Sequence, residues 1–193
     1  MTVQTDLFAN DVSLPEGLRY RPEFIPADIE QQLLDAMAAL PFRAFEFRGY
    51  LGRRRVVSFG WAYDFNDRRL KPADAIPPFL LPLQQAAAAF AGCAAADLPQ
   101  VLVTEYAPGA AIGWHRDRPE FGEVVGISLG SSCRFRFRRA QGRRWERRTL
   151  ALPPRSAYLL RGPARIEWEH SIPPVDATRY SITFRSLRSH LRA

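Results

Sequence analysis

Lysine is almost missing from this chain. Lys71 is the only one among 27 basic residues, so the net charge of +7 rests on arginine. Arginine keeps its charge when desolvated and grips carboxylate or phosphate oxygens two at a time. Such a surface attracts nucleic acid by releasing counterions, although the same arginines on a solvated face bind nothing. Histidine is scarce too: His115, His170 and His190 are the whole supply. A metal site built on imidazole therefore has few residues to choose from. Two cysteines, Cys93 and Cys133, exclude a disulfide scaffold and read as free thiols. The opening MTVQTDLFANDVSLPEG has neither a basic stretch nor an apolar run. The most apolar window, residues 85–96, is too short and interrupted to cross a bilayer. These absences predict a monomeric, cytoplasmic protein without a membrane segment.

What is present describes one packed domain, since 47% of the residues are hydrophobic and 12% aromatic. Residues 1–22 read as a poorly ordered lead-in with a turn at Pro15-Glu16-Gly17. Ile29, Leu33, Leu34, Met37 and Leu40 recur at helical spacing between Pro26 and Pro41. Residues 44–50 and 54–59 form a hairpin about Leu51-Gly52. Phe59, Trp61 and Tyr63 then alternate around Gly60, and a second helix with an alanine-rich face covers 79–91. From Gln100 the texture changes to about eight short β-rich runs: 101–106, 112–115, 124–129, 133–138, 144–150, 157–160, 166–170 and 180–187. The pattern predicts a mainly β fold with flanking helices. Residues 100–187 would be a two-sheet antiparallel barrel or jelly roll, a double-stranded β-helix. Residues 1–99 would supply the helices and a hairpin lid.

Chemistry concentrates in His115-Arg116-Asp117. On a strand, residues two apart point to one side, so the imidazole and the carboxylate aim together. Such a pair is commonly a satisfied polar contact. With a second imidazole it becomes the two-histidine, one-carboxylate face of a non-haem Fe(II) ion. His170, before the loop Ser171-Ile172-Pro173-Pro174, is the expected partner; His190 sits in the basic stretch Arg188-Ser189-His190-Leu191-Arg192. A second constellation is Arg179-Tyr180-Ser181-Ile182-Thr183-Phe184-Arg185, where Arg179, Ser181, Thr183 and Arg185 share one face. An edge strand with a wet face would look the same. Inside a barrel, two like charges held close require anions, and a dicarboxylate such as 2-oxoglutarate satisfies both.

Over residues 101–187 the sequence resembles the AlkB-type Fe(II)/2-oxoglutarate dioxygenases. The residues carrying the resemblance are Tyr106-Ala107-Pro108-Gly109-Ala110, His115-x-Asp117, His170 and the closing Arg179–Arg185 run. It implies that His115, Asp117 and His170 hold Fe(II). Arg179, helped by Tyr106, would take the distal carboxylate of 2-oxoglutarate, and Arg185 would serve the end that chelates iron, with O₂ as co-substrate. Thr104 and Ser181 stand where many members carry asparagine and still offer hydrogen bonds to the cofactor. Decarboxylation of 2-oxoglutarate to succinate and CO₂ would drive oxidation of a C–H bond, and an N-methyl group so hydroxylated is lost as formaldehyde.

Nucleic-acid members of that family close an aromatic lid over a flipped base. Here Phe59, Trp61 and Tyr63 suit stacking on it, with at least one of the three expected in the core, and Arg53 and Arg54 would hold phosphates or belong to a solvated turn. Residues 134–139 and 143–148, turning at Gln141-Gly142, form a ribbon with phenylalanines inward and arginines outward. The acidic residue that DNA-repair members use to read the damaged base is replaced by Pro119, with Glu120 the neighbouring candidate. The expected substrate is an alkylated base in single-stranded or flipped-base nucleic acid. A protein or peptide demethylase or hydroxylase on the same scaffold, and a non-catalytic nucleic-acid-binding β-fold, remain as alternatives.

Overall fold

The alternating strand lies in the middle of the molecule, not at an edge. The computed structural model describes residues 14–47, 50–65 and 67–188. Within them β13 (Arg179–Leu187) runs antiparallel between β8 (Phe121–Leu129) and β6 (Gln100–Tyr106). β11 (Ala157–Leu160) and β1 (Leu18–Arg21) continue the sheet past β8; β3 (Tyr50–Phe59) and β2 (Arg43–Phe47) continue it past β6. A four-stranded antiparallel sheet faces it, in the order β10 (Arg144–Leu152), β9 (Cys133–Gln141), β12 (Glu169–Ile172), β7 (Ile112–His115). β4 (Trp61–Asp64) and β5 (Arg69–Pro72) form a separate two-stranded ribbon. The fold is mostly β, a jelly-roll core with helices on one side.

Both faces of β13 are used. Ile182 and Phe184 point away from the small sheet and pack with Leu33 and Met37 of α1 (Ala27–Met37) and Leu83, Ala87 and Ala88 of α2 (Leu81–Ala91). Each such side chain fully buried contributes about 1.5–3 kcal/mol. The alanines let α2 lie close to the sheet, and Gly92, at φ +75°, ends that helix in the left-handed conformation. The opposite face of β13 looks into the space between the sheets. There a second core of Phe135, Phe137, Leu152, Leu160 and Trp168 closes one end. No disulfide joins Cys93 and Cys133, and no helix among the described residues is long and apolar enough to cross a membrane.

Several local expectations fail for identifiable reasons. Residues 18–21 are no loose lead-in: Leu18 and Tyr20 alternate with Arg19 and Arg21 as an edge strand on β11, and the Arg19 guanidinium donates to the Phe90 carbonyl at 3.0 Å. The first hairpin does not turn at Leu51-Gly52, because both residues lie inside β3 and Phe47 pairs with Tyr50. Residues 166–170 do not make one strand. Gly162-Pro163 starts a short helix, α3 (Gly162–Ile166), and pairing begins only at Glu169. The expected bend at Gly60 is present, at φ +72°, where a Cβ would stand 1.9 Å from the Pro99 carbonyl oxygen. The stretch 1–13 and His190 lie outside the described residues.

Candidate active site

Two strand pairings assemble the site. β12 and β7 lie in register so that His170 stands opposite His115, with ring centroids 4.3 Å apart. β13 and β6 lie in register with Arg179 opposite Tyr106, Ser181 opposite Thr104 and Arg185 opposite Gln100. The polar side of β13 thus faces the histidines across a cleft. Arg54, Leu102, Thr104, Tyr106, Ile112, His115, Asp117, Tyr158, His170, Arg179, Ser181, Thr183 and Arg185 line it. Every residue expected to hold iron or 2-oxoglutarate is brought to this one place.

The donor atoms are left available. The Nδ1 of His115 lies 2.9 Å from the Gly113 carbonyl, which only accepts; Nδ1 therefore carries the proton and Nε2 keeps its lone pair. The Nε2 of His170 is 3.6 Å from Oδ2 of Asp117, too long for either atom to be consumed by the other. Asp117 is not the satisfied partner of His115; its Oδ1 accepts from Arg185 at 2.9 Å (Nε) and 2.8 Å (Nη2). The three groups converge without closing to a finished shell, and no three such side chains do so among the described residues. Burial would raise the Asp117 carboxyl, but Arg185, the two histidines and Arg165 outweigh it and hold the group ionised well below the usual carboxylate range. Burial, with His115 beside it, pushes His170 down to about 3; burial also lowers His115. Two neutral imidazoles and one ionised carboxylate are the donor set that a divalent iron takes.

The two arginines of β13 are not alike. Arg185 spends its fork on Asp117 and, through Nη1, on Gln100 Oε1 at 3.0 Å. It therefore orients the aspartate, on the side of the cleft where the sequence expects it to serve the end of 2-oxoglutarate that chelates iron. Arg179 is 1% exposed, sits over the Tyr106 ring at 4.9 Å, and leaves Nε and Nη1 without a hydrogen-bond partner. A buried guanidinium with orphaned donors, ringed by the side chains of Thr104, Tyr106 and Ser181, fits a carboxylate.

Two residues that hold the site escaped the sequence reading. Arg165, buried in α3, donates to the carbonyls of Arg118, Phe121 and Gly122, each at 2.8 Å, and clamps the loop after Asp117. Nothing in its local sequence marks it. Tyr158 stands opposite Gly126, where the missing Cβ leaves room for the ring, and burial keeps its phenol protonated.

The lid differs from expectation. Phe59 is 5% exposed and belongs to the helix-side core, so it meets no substrate. Trp61 and Tyr63 lie half-buried on β4, and neither lines the cleft. The Tyr63 hydroxyl accepts from Arg118, whose carbon Cζ lies 4.1 Å from the ring centroid. Glu120 accepts from Arg118 through Oε1 at 3.3 Å and does not line the cleft, while its Oε2 is buried without a hydrogen-bond partner. Arg53 is exposed beside Gly109. Arg54 points inward with Phe45 beneath it at 3.7 Å, and Phe45, Phe65 and Tyr63 continue an edge-to-face chain at 5.6 and 5.0 Å. Phe45 and Phe65 are the aromatics the pattern missed. A more open depression bordered by Cys93, Asp97, Glu123 and Arg161 holds no comparable convergence; Arg161 there pairs with Glu123 at 3.3 Å.

Comparison with known proteins agrees with this geometry. The profile of the 2OG-Fe(II) oxygenase superfamily matches residues 17–185. An "Alkylated DNA repair protein ALKBH8 homolog" of Arabidopsis thaliana is 29% identical over 226 residues, covering 97% of this chain. The chain spans only 63% of that relative's length. "Uncharacterized protein L905" of Acanthamoeba polyphaga mimivirus is 35% identical over 101 residues, 46% of this chain and 48% of its own. In fold, the chain is similar to OsALKBH1, with a TM-score of 0.66 at 18% identity over 89% of this chain and 97% of the other. It is also similar to a Pseudomonas putida prolyl-4-hydroxylase, with a TM-score of 0.61 at 16% identity over 93% and 96%. The family's cofactors are Fe(II) and 2-oxoglutarate, with O₂ as co-substrate. The chain belongs to the 2OG-Fe(II) oxygenase superfamily.

Proposed function

We propose that this dioxygenase removes alkyl groups oxidatively from nucleobases of DNA or RNA. Arg179 carries the reading: a buried, unpaired guanidinium is tolerated only where an anion of the reaction neutralises it. In this reading His115, Asp117 and His170 hold iron, with Arg185 and Gln100 fixing the carboxylate. Arg179 binds the distal carboxylate of 2-oxoglutarate, with Tyr106, Thr104 and Ser181 beside it. When bound, iron and 2-oxoglutarate supply with O₂ the oxidising power to hydroxylate a C–H bond, and a hydroxylated N-methyl group leaves as formaldehyde. The polypeptide binds, orients and keeps water out.

Three observations support a nucleic-acid substrate. The aromatic chain from Tyr63 to Phe45 suits a flat ring. The outer side of β9 and β10 carries Arg134, Arg136, Arg138 and Arg147, with Arg138 between Trp114 and Trp145 at 4.6 and 4.3 Å. The Arabidopsis relative is described as an alkylated-DNA repair protein. The test is formaldehyde and succinate release from single-stranded oligonucleotides carrying one N-methylated base, beside methylated basic peptides. Turnover of an oligonucleotide supports the proposal; turnover of peptides alone overturns it.

A further inference from the structure

We propose that Arg54 selects the substrate, and that it selects against positive charge. The base accepted at the cleft is electrically neutral and presents a hydrogen-bond acceptor beside its methyl group; cationic alkylated bases are turned away. The inference rests on the dealkylase reading and names the class of base within it.

The argument is one of charge. Three guanidiniums line the cleft, those of Arg54, Arg179 and Arg185, against a single carboxylate, Asp117. Asp117 is already held by Arg185. The orphaned donors of Arg179 answer one carboxylate of 2-oxoglutarate. Arg54 is left over. Among the described residues its contacts are the face of Phe45 at 3.7 Å and the Tyr106 hydroxyl, and neither is an anion. On β3 it stands opposite Tyr106, and it lines the same cleft as His115, Asp117 and His170. The carboxylate nearest in sequence, Glu120, is turned to Arg118, and position 119 is proline. A cationic ring stacked here would meet a guanidinium without a counter-charge. A ring carbonyl or unprotonated ring nitrogen would meet a donor fork already flattened on an aromatic face. Phe65, 39% exposed and set edge-on to Phe45, offers the incoming ring a partner beside that fork.

The experiment measures kcat/KM for formaldehyde release from two sets of otherwise identical single-stranded oligonucleotides. One set carries 1-methyladenine or 3-methylcytosine, cationic near neutral pH. The other carries 3-methylthymine, 1-methylguanine or N6-methyladenine, which are neutral. The wild type should favour its best neutral base over the best cationic one by about 30-fold or more, the span of one desolvated charged contact. Arg54→Glu should shift that ratio towards the cationic bases by at least about tenfold, with Arg54→Lys remaining near the wild type. Wild-type preference for cationic bases, or a ratio unmoved by Arg54→Glu, overturns the inference and leaves the dealkylase reading standing. Arg54→Gln raising the KM for 2-oxoglutarate as much as Arg179→Gln does also overturns it, since Arg54 would then be a cofactor ligand. If 2-oxoglutarate binds and no base of either set is demethylated, both readings fall together. Wild-type selectivity needs no variant, so a poorly folding Arg54→Glu does not rescue the claim.

Discussion

The cleft has a wall and, in the reading proposed here, a lid, and the two are held by different forces. The wall is β6 and β13, in the interior of a seven-stranded sheet, with each functional side chain fixed by main-chain pairing on both sides. The lid is the β4–β5 ribbon, joined to the site through side chains: Tyr63 with Arg118, Tyr63 with Phe65, Phe65 with Phe45. Moving a wall residue means breaking a ladder that also supports the helix-side core. Moving the lid costs a few exposed contacts. A family of enzymes can therefore keep one cofactor site while its lid adapts to different substrates.

The sharpest way to break the contrast is at Arg179. Replacing it with methionine should raise the KM for 2-oxoglutarate about 30-fold to several thousand-fold, the range for removing a charged contact from a buried anion. The same variant should melt at a higher temperature than wild type without cofactor, because an unpaired buried charge has gone. Saturating 2-oxoglutarate, at about 100 times its wild-type Kd, stabilises wild type by about 2.7 kcal/mol and should stabilise the variant by about 0.9 kcal/mol or less. Calorimetry with and without 2-oxoglutarate reads both effects.

Gly126→Ala tests how tightly the wall is filled. The added Cβ would lie 2.2 Å from Cζ of Tyr158, so the ring must shift towards the cleft. The expected cost is about 1–3 kcal/mol in denaturant unfolding, with weaker 2-oxoglutarate binding.

Acid should loosen the small sheet that faces the wall, in its iron-free form, before the lid. His170 titrates at about 3 in the folded chain, against about 6.5 when unfolded. Folding thus favours the neutral ring, and its contribution is complete above about pH 6.5. As pH falls from there towards 3, the unfolded chain takes up a proton that the folded site refuses, and stability is lost. At pH 5 the loss is about 2 kcal/mol, measured as a shift in urea midpoint that His170→Asn removes. The smallest effect belongs to the lid. Tyr63→Phe removes the acceptor for Arg118 and should cost about 1 kcal/mol or less, shifting the KM for an oligonucleotide by only severalfold.

The sequence was informative where function follows a short period. The two-residue spacing of His115 and Asp117 and the alternation of 179–185 needed only strand geometry, and both stand as expected in one cleft. It was less informative where a contact depends on distant partners. Nothing in Phe59-Gly60-Trp61-Ala62-Tyr63 separates the ring that enters the core from the one that meets Arg118, because Gly60 ends one strand and a new ribbon starts. Arg53, Arg54 and Arg55 are chemically equal in sequence. One is exposed, one lines the cleft, and one forks onto Glu105 at 2.8 and 2.7 Å.

By itself the sequence determined the antiparallel β class, the side chains that meet in the cleft as candidates for iron and a diacid, and the arginine-borne charge. Periodicity and side-chain chemistry are local properties, written within a few residues. Only the tertiary structure decided that Arg185 serves Asp117 while Arg179 stays open, that Arg165 clamps the loop, and that Arg54 turns inward. Those outcomes depend on which side chains meet across 43 or more residues of chain, and the way the strands and α3 pack, not the local sequence, decides which ones meet.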